Sequence, residues 1–362
     1  MCKVFFLFIL IINLCSINAA AISARSAVLI DSKGGRVLYE HNAYEKLPMA
    51  STTKIMTGLL ACESGKLAEK VRTSAFASGT EGSSLWLKPG EIQTLEDLTY
   101  GLMLKSGNDA AVSIAEYLGG NIDSFSLMMT KRAKDIGAVN TEFKNPHGLD
   151  AEGHYTTAYD LAIIAAEAMK NETFRKIVAT KNYSVPIEGE DWDRALKNHN
   201  KLLWRYDGCN GIKTGYTKKC GRCLVSSAQR DGKELICVTL NAPDDWNDHE
   251  ELLNYGFNNF NLKVIAKKDE RITEIIYDKY NRKVGIICKD DVNVLVDDDD
   301  EIEVKTQIGK IKAPKKKGSP VGEMYVLCNG EKVLETELVT ESDIKKLPFW
   351  KKIYLDIKNI FS

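Results

Sequence analysis

The hydrophobic period of the chain changes twice between residues 22 and 261, and this order restricts the folds that the chain can adopt. Two apolar runs, residues 26–31 and 36–40, flank a Lys-Gly-Gly turn and predict a β-hairpin. A helical period follows, and after residue 210 an alternating period with glycine turns predicts antiparallel strands and a closing helix. One helix is predicted just after Pro48, and further helices are predicted at about residues 95–104, 109–118, 158–169 and 250–260. The later strands are predicted at residues 212–216, 222–228 and 234–240. We therefore expect an α/β domain of the α+β type, in which helices flank an antiparallel sheet.

The rest of the chain predicts a second, smaller domain and a leader segment. Short alternating segments punctuated by polar turns predict a small β-rich C-terminal domain. At the other end, Lys3 precedes a short apolar run and a group of alanines, the layout of a secretory signal peptide. The 362 residues are therefore divided into a signal peptide (1–20), a main domain (21–261), a β-rich domain (262–340) and a tail (341–362).

The tail predicts a membrane-associating helix. Its apolar residues recur mostly at three- and four-residue intervals, and lysines lie between them. A stripe that carries Trp350 and Phe361 opposite a lysine-rich face is typical of a helix that lies in a membrane interface. The alternative is a terminal helix that packs on its own protein. With the leader, this pattern predicts an exported protein at the outer face of the cytoplasmic membrane or in the cell-wall space.

Composition and charge exclude several functional classes. A hydrophobic fraction of 44% with 27% charged residues is that of an ordinary folded protein. The formal net charge of −1 provides no overall basic field, so we predict no nucleic-acid partner. The histidines and cysteines show no paired zinc spacing, and we predict neither a metal nor a cofactor. The acidic run at 297–300 is interpreted as a solvated turn.

Ser51 and Lys54 form the first candidate catalytic pair. A spacing of three residues at the start of a helix places the two side chains on one face, where the amine reaches the hydroxyl. A serine hydroxyl is a poor nucleophile until a base takes its proton. Lysine can be that base when burial or a second cation lowers its pKa. Taken alone, Ser51 would equally fit a simple helix cap.

Two further polar motifs follow at long intervals. Ser106-Gly107-Asn108 lies in the break between two predicted helices, where both polar residues would also serve as caps. Lys213-Thr214-Gly215 lies on a predicted strand, where the lysine and threonine could bind a carboxylate and the glycine would allow a substrate backbone to approach. Each signal is modest alone, but their order and separation together are specific.

These motifs resemble the Ser-x-x-Lys, Ser-Asp-Asn and Lys-Thr-Gly set of penicillin-binding proteins and class A β-lactamases. The chain is similar over nearly its whole length to low-molecular-mass penicillin-binding proteins of the D-alanyl-D-alanine carboxypeptidase family. The similarity extends to residues 145–150, 156–160 and 202–204. It implies a β-lactamase/transpeptidase-like fold, serine-type cleavage of peptidoglycan stem peptides ending in D-Ala-D-Ala, and covalent inhibition by β-lactam antibiotics.

The resemblance also implies a role for each motif residue. Ser51 would attack the D-Ala-D-Ala carbonyl, and Lys54 would accept its proton and later help to activate the deacylating water. Ser106 would relay a proton to the leaving amine, and Asn108 would hold the substrate amide and Lys54. Lys213 and Thr214 would grip the terminal carboxylate, and the backbone N–H groups of Ser51 and Tyr216 would form an oxyanion hole.

The chain departs from the family pattern at two points. The middle motif is Ser-Gly-Asn, which favours a carboxypeptidase over a class A β-lactamase. Some family members carry an arginine after the Lys-Thr-Gly strand, but residues 241–249 contain none. The alternatives are a β-lactamase, for which no Glu-x-x-Leu-Asn segment is present, and a non-catalytic penicillin-binding wall protein. Endopeptidase activity is a further possibility within the same chemistry.

Three other residues invite functional interpretations that we do not favour. Cys220 and Cys223 have the spacing of a redox dithiol but lack the βαβ surroundings of thioredoxin folds, so a structural role is expected. His147 could suggest a serine-histidine triad. Since Ser51 already has a nearer base and no Gly-x-Ser-x-Gly turn is present, we expect His147 to have a structural or substrate-positioning role.

Overall fold

The structure is a computed structural model that describes residues 22–187 and 189–360. The predicted signal peptide, residues 1–20, lies outside the described residues. The strands of the first domain are β1 (Ser26–Asp31), β2 (Val37–His41), β3 (Lys70–Arg72), β4 (Ile92–Thr94), β5 (Asn182–Pro186), β6 (Asp193–Lys197), β7 (Cys209–Thr217), β8 (Gly221–Arg230) and β9 (Lys233–Leu240). Its helices are α1 (Lys54–Glu63), α2 (Ala75–Ser78), α3 (Leu95–Leu104), α4 (Asn108–Gly119), α5 (Ile122–Ile136), α6 (Ala158–Lys170), α7 (Glu172–Ala179), α8 (Leu202–Arg205) and α9 (Asp245–Asn259).

The central sheet of this domain is antiparallel, in the order β2-β1-β9-β8-β7. All six residues of β1 are buried because helices cover both faces of the sheet. Val28 and Ile30 belong to the core that contains α1 and α6, whereas Leu29 faces the core that contains α9. Successive side chains of a strand point to opposite faces, so one apolar strand supplies both cores. The predicted α+β class and its flanked antiparallel sheet are confirmed.

The C-terminal domain is built from β-strands around a separate core. These strands are β10 (Asn261–Ala266), β11 (Arg271–Ile276), β12 (Lys283–Cys288), β13 (Val292–Val296), β14 (Ile302–Ile308), β15 (Pro320–Cys328) and β16 (Glu331–Thr340). The larger sheet has the order β11-β12-β16-β15-β14, and β10 pairs with β13. Buried aliphatic residues such as Ile286, Val326 and Leu338 fill its centre. The β-rich character predicted for this region is confirmed.

One buried ion pair joins the two domains. Arg36 on the first hairpin lies 2.6 Å from Asp300, with their side chains 13% and 2% exposed, and it also donates to the backbone carbonyl of Leu295. Asp300 belongs to the acidic run at 297–300, where it also accepts the backbone N–H of Asp297. The run is thus a turn, as predicted, but one of its carboxylates contacts the other domain rather than solvent.

The tail helix is shorter than predicted. Helix α10 (Phe349–Ile360) begins after Pro348 rather than at residue 341. Ile344 pairs with Lys315 and is buried in the C-terminal core, and Leu347 is also buried, because these two apolar residues pack on their own domain. The side chains of Phe349, Trp350, Ile353, Tyr354 and Ile357 are exposed. Within the described residues, no helix has the length and apolar character needed to cross a bilayer.

Candidate active site

Ser51 lies in a tight turn rather than in the α-helix that the sequence predicts. The turn is a 3₁₀ segment, Ala50–Thr53, and α1 begins directly after it at Lys54. In a 3₁₀ turn, residues three apart lie directly above one another, so the side chains of Ser51 and Lys54 are aligned. Lys54 Nζ is 3.0 Å from Ser51 Oγ. Ala50 has a φ of 47°, a conformation unusual for residues other than glycine. A strained backbone of this kind is common next to reacting groups.

The amine of Lys54 is fully buried and has three hydrogen-bond partners. Besides Ser51, Nζ lies 2.7 Å from Asn108 Oδ1 and 2.6 Å from the backbone carbonyl of His147. Burial, followed by the nearby charge of Lys213, lowers the pKa of the Lys54 amine well below its ordinary value. A neutral amine within hydrogen-bond distance of a serine hydroxyl can accept its proton. The predicted nucleophile and base are therefore adjacent.

Asn108 is the first residue of α4, and Ser106 lies in the break just before this helix. The Asn108 amide nitrogen donates to the carbonyl of Glu81 at 2.6 Å, which turns the amide oxygen toward Lys54. Ser106 has a φ of 61° and is 5% exposed. Its Oγ is buried and makes no hydrogen bond to the part of the protein that the structure describes. An unpartnered hydroxyl at this point is free to bond to a bound molecule.

Asp109 is a site residue that sequence reasoning missed. Its buried carboxylate accepts the backbone N–H groups of Leu85 and Leu87 and the hydroxyl of Ser84, at 2.7 to 3.1 Å. The backbone N–H of Asn108 in turn donates to the carbonyl of Ser83. Asp109 therefore fixes the loop that carries Ser83 at the edge of the cleft. An acidic residue directly after the middle motif was the available signal.

Strand β7 supplies the third motif. Lys213 is 1% exposed and its Nζ donates to the Thr214 carbonyl at 2.9 Å. Burial lowers the pKa of the Lys213 amine to about 7. Gly215 also packs closely on the nucleophile turn, since a Cβ there would lie 3.0 Å from the backbone nitrogen of Ser51. The glycine thus lets the strand approach the nucleophile turn itself.

Five of the eight predicted site residues line one cleft of about 820 Å³, and the other three, Lys54, Asn108 and Lys213, are buried beside it. Ser51, Ser106, Thr214, Gly215 and Tyr216 line it, and the buried amine of Lys54 contacts Ser51 from below the surface. The remaining lining residues are mostly basic or aromatic: Ser83, Lys105, Lys197, Asn198, His199, Lys201, Trp204, Arg222, Asp245 and Trp246. The sequence could not place His199, which lies in the cleft, or Arg205, which pairs with Glu250. Such a cleft suits a negatively charged ligand.

His147 contributes to the site through its backbone. Its carbonyl accepts the Lys54 amine, while its Nδ1 accepts the backbone N–H of Leu149 at 3.2 Å. Burial and the charge of Lys54 lower the pKa of the His147 ring to about 3, so the ring is neutral at physiological pH. Gly148 has a φ of 90° and packs directly on the nucleophile turn, since a Cβ there would overlap the Ala50 carbonyl. The contacts fit a structural role for His147.

Cys220 and Cys223 are buried and are not disulfide-bonded. Cys220 Sγ lies 3.6 Å from an Asp150 carboxylate oxygen, and Cys223 belongs to the core that also contains α1. Burial raises the pKa of the Cys223 thiol to about 12, and it also raises that of Cys220. Thiols with raised pKa values react slowly, which fits a structural role.

Comparisons with known proteins agree over both domains. A sequence model described as D-alanyl-D-alanine carboxypeptidase matches residues 14–244, and one described as penicillin-binding protein 5, C-terminal domain, matches residues 260–346. The chain is 36% identical to the D-alanyl-D-alanine carboxypeptidase DacF of Bacillus subtilis over 90% of this chain and 87% of that protein. It is 31% identical to DacC of Escherichia coli over 94% and 88% of the two chains. The structure is similar to penicillin-binding protein 5 of Haemophilus influenzae, with a TM-score of 0.75 and 28% identity over 90% of this chain and 99% of that one.

Proposed function

The chain belongs to the D-alanyl-D-alanine carboxypeptidase family, and on that premise we propose how its cleft removes the terminal D-alanine from peptidoglycan stem peptides. It is a serine-type peptidase of the penicillin-binding class. The observation that carries the mechanism is the buried Lys54 amine, 3.0 Å from Ser51 Oγ and 2.7 Å from Asn108 Oδ1. Nucleophile and base are therefore within hydrogen-bond distance of each other.

In the acylation step, Ser51 Oγ attacks the carbonyl carbon between the two D-alanines. The hydroxyl proton passes to neutral Lys54 as the new C–O bond forms. The C–N bond then breaks, and the leaving amine receives a proton from Ser106, which is replenished from protonated Lys54. The lowered pKa of Lys54 supports this role, because an amine with an ordinary pKa would already be protonated at neutral pH.

Negative charge develops on the carbonyl oxygen during this attack. The backbone N–H groups of Ser51 and Tyr216 form the proposed oxyanion hole, and each such donor contributes about 3 to 4 kcal/mol in comparable acyl transfer. The close packing of Gly215 on the Ser51 turn supports this pairing, because it holds the two backbone segments against each other. Thr214 and Lys213 hold the terminal carboxylate of the substrate.

Deacylation reuses the same base. A water molecule attacks the acyl carbon, its proton passes to Lys54, and the C–O bond to Ser51 breaks as Oγ regains a proton. Asn108 holds both the Lys54 amine and the acyl-chain amide in place. β-Lactam antibiotics acylate Ser51 by the same first step, and the family membership supports this inhibition.

We propose that the enzyme is exported and works at a membrane surface. The leader-like residues 1–20 support export. The exposed Phe349, Trp350 and Tyr354 on α10, near Lys351 and Lys352, support an interfacial helix. A chain that lacks residues 349–362 should keep its D-alanine release in solution but lose binding to vesicles that contain anionic lipid. Equal vesicle binding by the full and shortened chains would contradict this role for α10.

D-alanine release from diacetyl-lysyl-D-Ala-D-Ala tests the proposed function. Purified enzyme should release one D-alanine per peptide, and benzylpenicillin should block this release. Rapid hydrolysis of benzylpenicillin with little D-alanine release would favour a β-lactamase. If the enzyme binds penicillin covalently but releases no D-alanine from this peptide or from muropeptides, the non-catalytic alternative would be supported.

A further inference from the structure

The terminal carboxylate of the substrate needs a positive partner that the three motifs do not fully supply. Lys213 is deeply buried, and its pKa of about 7 leaves much of it neutral at slightly alkaline pH. Residues 241–249 contain no arginine, and the position that begins α9 is Asp245. Among the described residues that line the cleft, however, Arg222 carries a guanidinium.

The register of the sheet places Arg222 beside the carboxylate-binding strand. On neighbouring strands, Arg222 lies opposite Tyr216, and Leu224 lies opposite Thr214. Residues directly opposite each other share a face of the sheet, as do residues two apart on one strand. Arg222 and Thr214 are therefore diagonal neighbours on the same face, and both line the cleft.

Asp245 holds the Arg222 side chain from the next element. Arg222 Nε donates to Asp245 Oδ1 at 2.9 Å, and the Asp245 side chain is only 4% exposed. The Arg222 carbonyl also accepts the backbone N–H of Ala242 at 2.9 Å. This hydrogen bond ties the segment between β9 and α9 to strand β8. The contact with Asp245 uses Nε of Arg222, and the Arg222 side chain is 44% exposed. The two terminal guanidinium nitrogens can therefore reach a ligand.

We propose that Arg222 is a substrate-binding residue that receives the terminal carboxylate together with Thr214, and that Asp245 is its positioning residue. A guanidinium keeps its charge at every working pH and presents paired donors that match a carboxylate. An arginine from β8 thus supplies the charge that was absent from residues 241–249. This inference rests on the proposed function.

Substrates with and without a terminal carboxylate provide the test. The Arg222→Gln enzyme is compared with wild type on diacetyl-lysyl-D-Ala-D-Ala and on the same peptide with a C-terminal amide. We expect kcat/KM for the acid to fall roughly 10- to 100-fold and that for the amide to change less than about twofold. The ratio of the two values does not depend on the fraction of folded enzyme. An equal fall on both peptides, or no change on the acid, would overturn the proposal.

Two further variants separate binding from structure. Asp245→Asn should lower the acid-to-amide ratio in the same direction but less, because Arg222 remains and only its orientation is lost. An unchanged ratio would overturn the positioning role. The matched control is Arg205→Gln, because Arg205 also pairs with an α9 carboxylate, Glu250, but does not line the cleft. Its ratio should equal that of wild type.

Penicillin acylation distinguishes this inference from the proposed function. Benzylpenicillin carries a carboxylate that its methyl ester lacks, so Arg222→Gln should slow acylation by the acid selectively. If the wild-type enzyme releases no D-alanine but is acylated by penicillin, the proposed activity fails. The comparison of benzylpenicillin with its methyl ester still decides the role of Arg222 in that case. If the wild-type enzyme releases D-alanine, and Arg222→Gln distinguishes benzylpenicillin from its methyl ester as well as wild type does, only the role of Arg222 fails. If wild type does neither, both fail together.

Discussion

The two buried lysines of the active site and the surface lysines of the C-terminal domain have opposite surroundings. Lys54 and Lys213 are 0% and 1% exposed, and their amines bond to neutral oxygens. In the C-terminal domain, Lys289 pairs with Glu337, and both side chains are about half exposed. Burying an amine without a carboxylate partner opposes folding, whereas an exposed ion pair contributes little in either direction. The active site therefore keeps buried ionisable groups that stability alone would not favour, which marks it as the functional region.

The largest expected effect follows from removing the cleft amine that contacts Ser51. Lys54→Met should slow acylation by fluorescent penicillin by roughly 100- to 10,000-fold, because the Ser51 proton loses its acceptor. Stopped-flow acylation rates measure this directly. Lys88→Met is the control, since Lys88 pairs with Glu190 at the surface, and its rate should match that of wild type. A Lys54→Met rate within a few fold of wild type would remove the contrast between the two regions.

A buried acid in the same region should matter mainly for stability. Asp109→Ala leaves the backbone N–H groups of Leu85 and Leu87 without their acceptor, so we expect the free energy of unfolding to fall by about 2 to 4 kcal/mol. Urea unfolding measures the change. Asp123→Ala, at the exposed start of α5, is the matched control and should cost much less. Similar losses for both variants would show that the carboxylate does not hold the loop.

Lys213 tests whether burying an amine in the active site lowers the free energy of unfolding. Its folded pKa of about 7 lies below the unfolded value of 10.5, so the unfolded chain binds more protons between these pH values and stability rises with pH there. Lys213→Met should therefore be more stable than wild type at pH 6, by about 1 to 3 kcal/mol, despite losing activity. The difference should shrink as the pH approaches 10. A variant less stable than wild type at pH 6 would contradict this account.

The smallest effect is expected at the C-terminal surface. Glu337→Gln removes the carboxylate that pairs with Lys289 and should leave both the melting temperature and D-alanine release unchanged within error. Differential scanning fluorimetry at low and high salt checks the first part. A clear fall in the melting temperature at low salt would show that the exposed ion pairs of this domain stabilise it, which would contradict the comparison.

The sequence predicts those parts of the fold that depend on local patterns. Helix α3 has the predicted bounds, and β1, β8 and β9 lie within two residues of theirs, because their apolar periods are uninterrupted. Helix α5 is absent from the prediction, although Phe125, Met129 and Ala133 repeat at four-residue intervals on its buried side. The β5–β6 hairpin is also absent from the prediction, because each of its strands has only five residues. Its short strands are stabilised by tertiary contacts such as that of Tyr183 with Asp97.

The site is predictable only as far as its motifs extend. Ser51, Lys54 and Lys213 could be identified from spacing and resemblance. The contacts of Asp109 and the role proposed for Arg222 could not be derived in this way, because they depend on which loop and which helix pack beside them. The pairing register of β7 with β8 and the position of α9 are long-range features, which no local period encodes.

Mass spectrometry of the penicillin adduct tests the central claim most directly. Wild-type enzyme treated with benzylpenicillin should gain a single penicilloyl group, and digestion should locate it on Ser51. Ser51→Ala, whose fold should be unchanged, should gain none under the same conditions. An adduct that persists in Ser51→Ala, or one that maps to another residue in wild type, would show that the cleft around Lys54 does not house the nucleophile.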